Sequence, residues 1–177
     1  MRKLKNSELN RLSIEEFKNS DKTPIVVVLD NIRSQNNIGS VFRTSDAFLI
    51  EKIILCGITA KPPHKDIHKT ALGATDSVNW EYVQNTTDAI NILREEGYVI
   101  VSIEQAEEAI MLQDFNIDKN KKYAVILGNE IKGVQQEVVN MSDFAIEIPQ
   151  IGTKHSLNIS VSAGIVLWEL FRKIQSN

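Results

Sequence analysis

The sequence contains a single cysteine and no long apolar run. One cysteine excludes an intramolecular disulfide and a zinc site built from cysteines. Because Cys56 lies in the apolar stretch 52–56, we expect a buried, inert thiol rather than a nucleophile. The histidines, His64, His68 and His155, have no carboxylate or thiolate partners at ligand spacing, so the sequence predicts no metal site.

The lack of long apolar runs excludes a further class of protein. None approaches the roughly 18 to 20 residues that a membrane helix needs, and the start, MRKLKNSELN, lacks the apolar core of a signal peptide. We therefore expect a soluble, cytoplasmic protein without a membrane partner. Neither G-x-G-x-x-G nor G-x-x-x-x-G-K-[ST] occurs, so the sequence supports neither a Rossmann dinucleotide site nor a P-loop.

The excess of acidic residues is confined to one part of the chain. The formal net charge is −3, but residues 81–118 hold nine acids and one base, and the remainder carries 14 acids and 19 bases. We interpret 81–118 as a solvated face that points away from nucleic acid. Basic clusters at 2–5, 61–69 and 119–122 are candidates for phosphate contacts, although such clusters are also common on surfaces that only solubilise a protein.

From residue 24 onward, apolar β-branched stretches alternate with helical patterns. The stretches show little polar alternation, which is typical of a parallel sheet covered on both faces. We predict an α/β fold with a mostly parallel sheet and helices on both faces. The predicted strands are 25–29, 53–56, 78–83, 98–103, 123–127 and 144–148, and the predicted helices are 38–49, 87–96, 134–141 and 157–174.

Two segments depart from this alternation. Residues 1–23 read as an N-terminal extension with a short amphipathic helix capped by Ser13, and residues 24–177 as one domain. Residues 59–70 contain Pro62 and Pro63 among charges, which predicts an exposed loop that leads into a short helix.

Three separated blocks each join a strand-like run to a helix-like one: 36–48 (NNIGSVFRTSDAF), 127–133 (LGNEIKG) and 148–160 (IPQIGTKHSLNIS). Ligands of α/β proteins bind beyond the carboxyl ends of strands, where loops and helix N-termini expose backbone amides. Three such junctions on a short chain predict one composite site. On the residues alone, however, Asn37, Ser156 and Asn158 are also ordinary helix caps, and Arg43 is an ordinary surface partner of Asp46.

The three blocks resemble, in order and approximate spacing, the signature motifs of the SpoU (TrmH-like) branch of the SPOUT superfamily. That resemblance covers the chain from about residue 24 and implies S-adenosylmethionine-dependent methylation of an RNA ribose 2′-hydroxyl. It also implies a deep C-terminal trefoil knot, which no periodicity can predict. One departure is Gln150, which stands where the family usually has methionine after the proline.

The resemblance assigns roles within the blocks. It implies that Arg43 is catalytic, that Ser156 and Asn158 lie in the catalytic pocket with Asn37 in a direct or supporting role, and that Glu130 braces the loops. Because a guanidinium stays protonated, we expect Arg43 to hold the acceptor nucleotide and to stabilise the developing alkoxide rather than to act as the base. The implied cofactor pocket consists of Leu127, Gly128, Asn129, Ile148, Ile151, Ser156 and Leu157.

The same resemblance implies partners. They are an RNA, with tRNA favoured over rRNA, and a second copy of the chain that packs on the knot and the last helix, which is apolar around much of its circumference. Two alternatives remain at this point. One is a catalytically inactive knotted module that only binds RNA, and the other is a methyltransferase that acts on a base nitrogen.

Overall fold

The computed structural model describes residues 1–176 and contains a seven-stranded sheet with the order β3-β2-β1-β6-β4-β7-β5. Every neighbouring pair of strands is parallel, so the predicted parallel sheet is confirmed. The strands are β1 Thr23–Asp30, β2 Ile50–Cys56, β3 Asn79–Val83, β4 Tyr98–Ile103, β5 Ile110–Met111, β6 Lys122–Leu127 and β7 Phe144–Glu147.

Helices cover both faces of the sheet, as the continuous apolar strands predict. Along β1, Val27 and Leu29 belong to one buried cluster and Val26 and Val28 to another on the opposite face. The first cluster includes residues of α2, α3 and α7, and the second includes residues of α5 and α6. The helices are α1 Ile14–Asn19, α2 Gln35–Ala47, α3 Lys65–Ala71, α4 Ala74–Ser77, α5 Thr86–Glu95, α6 Gln136–Met141 and α7 Ile159–Gln175, with short 3-10 turns at Asn6–Glu8 and Leu112–Asp114. Among residues 1–176, no helix is long and apolar enough to cross a membrane.

The predicted elements differ from these bounds in understandable places. Helix α2 begins at Gln35, three residues before the predicted start at residue 38. The prediction missed the first turn, Gln35–Asn37, because that turn is polar and adds nothing to the apolar period. The strand β5 has two residues and was not predicted, since a stretch that short has no pattern. The helix α4, which follows the predicted short helix α3, was also missed.

Before Thr23, which begins β1, the N-terminal extension has one buried residue. Ser13 caps α1 as predicted and accepts a hydrogen bond from the backbone of Glu16 at 3.2 Å. The buried side chain of Phe17 packs in the core, whereas Leu9, Leu12 and Ile14 are exposed, so the expected amphipathic face is reduced to one residue. The boundary between extension and domain stays a prediction, and residue 177, its predicted end, lies outside the described residues.

The last helix differs from the expectation of burial on all sides. Its residues Ala163, Val166, Leu167 and Leu170 are fully buried against the sheet and α2. A second stripe at helical spacing, Val161, Ile165 and Trp168, is 49%, 38% and 51% exposed. Helix α7 therefore presents an apolar face to solvent in the isolated chain.

Three neighbouring strands end at the same edge of the sheet. The order β6-β4-β7 brings together the segments that follow Leu127, Ile103 and Glu147. The segment after β7 leads into α7. Helix α7 packs on α2, the helix that connects β1 to β2. Strand order alone does not fix how this segment is threaded, so the trefoil knot stays a prediction.

Candidate active site

A cavity of about 500 Å³ opens where β4, β6 and β7 end. Its lining comes from four segments, the three strand ends and the start of α7, as a composite site at strand carboxyl ends requires. The lining residues are Ile103–Gln105, Leu127–Gly133, Ile146–Ile148, Gln150, His155–Ile159 and Ser162. All the predicted cofactor residues except Ile151 are among them.

One side of the cavity is the β6 wall, residues 127–134. Here the chain folds back on itself, because Asn129 and Gly133 exchange backbone hydrogen bonds of 2.9 and 2.8 Å. The side-chain oxygen of Asn129 accepts hydrogen bonds from Ile131 and Lys132, and its amide donates to the carbonyl of Asn31 at 2.7 Å. The side chain of Asn129 therefore holds the wall in shape and has little left to offer a ligand.

Glycine is required at position 128 because the wall returns so close to it. A Cβ on Gly128 would lie 2.1 Å from the backbone nitrogen of Val134, closer than real Cβ atoms approach other atoms. Gly133 has φ +68°, a left-handed conformation that side chains disfavour, and a Cβ there would meet the carboxylate of Glu104. Both glycines of the second block thus serve the backbone geometry of the cavity.

Two carboxylates that were not predicted from the sequence hold the end of the β6 wall in place. The fully buried Asp30, at the end of β1, accepts hydrogen bonds from the backbone and side-chain nitrogens of Gln135 at 3.0 and 2.7 Å. It also accepts from Thr86 at 2.6 Å and from Asn31 at 3.0 Å. Glu104, after β4, accepts from the backbone of Val134 at 2.8 Å and lines the cavity.

The other side of the cavity is the β7 loop, residues 148–158, and it is held much less firmly. Residues 151–158 are all exposed, and the side chain of Ile151 is 104% exposed. The only described side-chain hydrogen bond from another segment to 149–157 runs from Gln105 to the carbonyl of His155, at 3.1 Å. Ile151, a predicted cofactor residue, does not line the cavity in this arrangement.

A hydrogen-bond relay joins the three sequence blocks at the rim. The Glu130 carboxylate accepts from the backbone of Arg33 and of Ser34, each at 3.0 Å, and from the side-chain amide of Asn37 at 3.2 Å. The oxygen of that Asn37 side chain in turn accepts from Asn158 at 3.2 Å. The predicted residues Asn37, Glu130 and Asn158 are therefore brought together.

The electrostatics of Glu130 follow from this relay. Partial burial acts to raise the pKa of its carboxyl, but the hydrogen bonds from Arg33, Ser34, Asn37 and its own backbone outweigh burial and hold the pKa below its ordinary value. Glu130 is thus a charged acceptor at the start of α2, where an anion also complements the helix dipole.

Of the three residues considered as helix caps, Asn37, Ser156 and Asn158, only Asn158 caps a helix. Ser34, not Asn37, caps α2, by accepting from the backbone of Asn37 at 3.3 Å, so the expected cap at Asn37 is wrong and its side chain is free for the relay. Asn158 does cap α7, accepting from the backbone of Ser160 at 2.9 Å, and serves the relay with its amide. Ser156 lines the cavity and caps no helix.

Arg43 lies apart from the cavity. It is exposed, and within residues 1–176 its guanidinium makes no hydrogen bond or ion pair. The alternative, an ion pair with Asp46, does not form, and Asp46 accepts a hydrogen bond from the hydroxyl of Ser77. Glu130 does not contact Arg43 either. Arg43 is about 9 Å further along α2 than Asn37, given the rise of an α-helix.

Metal ligands and thiols were both considered from the sequence, and the described residues hold one cysteine, Cys56. In residues 1–176, no group of three or more His, Cys, Asp or Glu side chains could hold a metal ion. Cys56 is fully buried, and burial raises the pKa of its thiol to about 12 despite a hydrogen bond with Thr86. The predicted burial of Cys56 is confirmed.

The position of Asp30 and Glu104 in the sequence could have identified them as site residues, although a search for apolar patterns does not consider acidic residues. Asp30 and Glu104 each directly follow a predicted buried strand, the place where acidic residues act at a sheet edge. Glu104 also corrects the interpretation of 81–118 as a solvated face, since its carboxylate lies in the cavity lining.

Comparisons with known proteins agree with this geometry. The sequence profile described as the SpoU rRNA Methylase family matches residues 24–168. An uncharacterised tRNA/rRNA methyltransferase of Borreliella burgdorferi is 35% identical over 163 residues, which are 91% of this chain and 69% of that protein.

Solved structures show the same fold. A crystal structure of an AdoMet-bound rRNA methyltransferase from Sinorhizobium meliloti matches with a TM-score of 0.80 and 29% identity, over 88% of this chain and 59% of that one. The A. aeolicus TrmH/SpoU tRNA modifying enzyme matches with a TM-score of 0.79 and 27% identity, over 90% and 80%. The chain thus spans less than two thirds of the Sinorhizobium protein.

Proposed function

The chain belongs to the SpoU rRNA methylase family, and on that premise we propose that it transfers a methyl group from S-adenosylmethionine to the 2′-hydroxyl of an RNA ribose. The observation that carries the proposal is the cavity at the ends of β4, β6 and β7, whose rim ties Asn37, Glu130 and Asn158 together.

The cavity suits this cofactor in size and in charge. Its volume of about 500 Å³ lies within the usual range of roughly 300 to 1,000 Å³ for cofactor sites. The carboxylates of Glu104, Glu130 and Glu147 outnumber Lys132 in the lining, which favours a ligand with net positive charge. Leu127, Ile148 and Leu157 offer apolar surface for a purine ring. When bound, the cofactor supplies a methyl group on a sulfonium, which a ribose oxygen can attack.

The protein's part is to position the acceptor. The free guanidinium of Arg43 is suited to hold a phosphate or the hydroxyl through two parallel hydrogen bonds and to stabilise negative charge on the 2′ oxygen. It cannot take the proton, because guanidinium stays protonated in proteins. Water or a phosphate oxygen is therefore the acceptor. The relay keeps α2, which carries Arg43, at a fixed place relative to the cavity.

Among RNAs, we propose tRNA. The A. aeolicus tRNA modifying enzyme matches this chain over 80% of its own length, against 59% for the Sinorhizobium rRNA methyltransferase. The N-terminal extension carries the exposed basic residues Arg2, Lys3, Lys5 and Arg11, which suit it to contact the RNA or a second subunit.

We further propose that the chain works as a homodimer through α7. The exposed stripe of Val161, Ile165 and Trp168 continues into an apolar groove with Ile148 and Pro149. Trp168 also packs on Phe48, the residue that follows α2, with ring centroids 5.8 Å apart. Large apolar patches of this kind mark interfaces. Sedimentation should give a dimer mass for the wild type at micromolar concentration and a monomer mass for Trp168→Glu. A monomeric wild type would contradict the proposal.

Methyl transfer tests the function. Labelled S-adenosylmethionine is incubated with unmodified tRNA or, separately, rRNA, and the RNA is digested to nucleosides for mass spectrometry. We expect a 2′-O-methylnucleoside from tRNA. Arg43→Ala should abolish it, and Arg43→Lys, which keeps the charge but loses the fork, should lose most turnover.

Other outcomes would identify the alternatives. A methyl group on a base would favour the enzyme acting on a base nitrogen. No transfer to either RNA, with cofactor binding intact by calorimetry, would favour a module that only binds RNA. Near-normal kcat in Arg43→Lys would contradict the role given to the guanidinium fork.

A further inference from the structure

A second cavity, of about 530 Å³, lies between α3 and the edge strand β3 and is separate from the active-site cavity. It is lined by a half-buried tryptophan, two prolines, two imidazoles and a few polar side chains. The lining residues are Pro62, Pro63, His64, Lys65, Ile67, His68, Thr75, Asp76 and Trp80. We call it the α3 pocket.

The α3 pocket is fixed to the helix that carries Arg43. Helix α3 packs closely on α2 because position 39 is glycine, where a Cβ would lie 2.1 Å from the hydroxyl of Thr70. That hydroxyl donates to the carbonyl of Asn36 at 3.0 Å. The loop that leads into α3 follows the end of β2, so it lies at the same edge of the sheet as the active-site cavity. In the sheet, β2 and β1 lie between β3 and β6, so the two cavities are formed by different strands.

The chemistry around the α3 pocket matches a nucleotide better than a peptide. Lys61, Lys65 and Lys69 are exposed along its border, whereas residues 59–70 contain a single acid, Asp66. The half-buried indole of Trp80 is anchored against the core and turns its remaining surface to the pocket. Asp76 and Thr75 supply acceptors that can pair with amino groups on a base edge.

We propose that the α3 pocket binds an unstacked nucleobase of the substrate RNA other than that of the methylated nucleotide. Trp80 stacks on the base, Asp76 and Thr75 contact its edge, and Lys61, Lys65 and Lys69 neutralise the adjoining phosphates. Single-stranded nucleic acids are held by this combination of an aromatic platform and a basic border. The inference rests on the proposed function, because it assumes an RNA substrate, and it adds a site that would select which RNA is bound.

Intrinsic fluorescence tests the stacking, because the chain has two tryptophans, Trp80 and Trp168. In Trp168→Phe, Trp80 is the sole indole, and tRNA at saturation should quench its emission. In Trp80→Phe, Trp168 is the sole indole and serves as the matched control, whose emission should not change. Sedimentation of both variants checks that their assembly equals that of the wild type.

Affinity tests the energetic contribution. Trp80→Leu keeps an apolar side chain at the anchored position and should weaken tRNA binding about tenfold to a hundredfold. The pair Lys65→Ala and Lys69→Ala should lower the slope of log affinity against log salt by about two. The matched pair Lys119→Ala and Lys121→Ala removes the same charge just before β6, at the edge of the sheet opposite the active-site cavity, and should lower it less.

The inference and the proposed function can fail separately. If the wild type methylates RNA, yet Trp80 emission and the affinity of Trp80→Leu are unchanged, the α3 pocket binds no base and the inference is overturned. If Trp80 is quenched and Trp80→Leu binds weakly, the inference holds, whether or not methyl transfer is found. Equal salt slopes for the two lysine pairs would overturn the phosphate contacts.

Discussion

The two sides of the active-site cavity differ sharply in how they are held. In the β6 wall, the side chain of Asn129 makes three hydrogen bonds to the backbone around it. Glu104 and Asp30 hold the end of the wall by accepting from the backbone of Val134 and Gln135. The β7 loop has eight consecutive exposed residues, and residues 149–157 receive one described side-chain hydrogen bond from another segment. A segment with few buried contacts lies at the low end of local stability. The cavity therefore combines one rigid side with one side that a ligand or a second subunit can order.

The glycines of the two sides provide the largest contrast. Gly128→Ala should weaken cofactor binding by at least about a hundredfold, or about 2.7 kcal/mol, because its Cβ would force the wall away from Val134. Gly152→Ala in the β7 loop has nothing within 4 Å of its Cβ and should bind as the wild type does. Isothermal titration of both variants with S-adenosylmethionine measures the contrast. Equal affinities would show that the β6 wall is not rigid.

Substitution of the buried Asp30 should have the next largest effect, on the free energy of unfolding. Asp30→Asn places an NH₂ group among four donors and should cost about 1 to 3 kcal/mol in the free energy of unfolding. Asp21→Asn, at an exposed position, should change it by less than about 0.5 kcal/mol. Urea unfolding of the two variants gives the difference. If Asp30→Asn is as stable as Asp21→Asn, Asp30 does not hold the wall.

The stability that Glu130 contributes to the fold depends on pH. Its pKa is lower in the folded chain than in the unfolded one, so its hydrogen bonds stabilise the fold above the ordinary glutamate pKa of about 4.3 and are lost as pH falls through the folded pKa. We expect wild type to be more stable than Glu130→Gln at pH 7 and the gap to narrow as pH falls below 4. Thermal unfolding against pH measures the gap. A gap that does not change with pH would contradict the relay.

Proteolysis gives the smallest and simplest contrast, because each side carries one exposed lysine. Trypsin should cleave after Lys154 in the β7 loop about tenfold sooner than after Lys132 in the β6 wall, where the backbone is hydrogen-bonded. Cofactor should slow cleavage at Lys154 more than at Lys132. Mass spectrometry of early fragments identifies the sites. Cleavage at Lys132 first would reverse the assignment of the two sides.

The sequence predicts features that have a local pattern and misses contacts between residues that are far apart in the chain. β-Branched stretches predict the strands and the parallel sheet. Short sequence motifs predict the three blocks. The partners of Asp30 were not, because Gln135 lies 105 residues away and neither residue belongs to a periodic pattern. The cap of α2 was misplaced by three residues, since Ser34 precedes a polar first turn. The outward position of Ile151 was not predictable either, because a lone apolar residue in a polar loop belongs to no periodic pattern that says where it points.

The most direct test of a cofactor site between these two sides is a crystal structure of the protein with S-adenosylhomocysteine, the product of methyl transfer. We predict the ligand between the β6 wall and the β7 loop, in contact with Gly128 and Leu157, with the β7 loop closed over it and the β6 wall unchanged. Ligand bound elsewhere, or a β6 wall rearranged around it, would contradict the account.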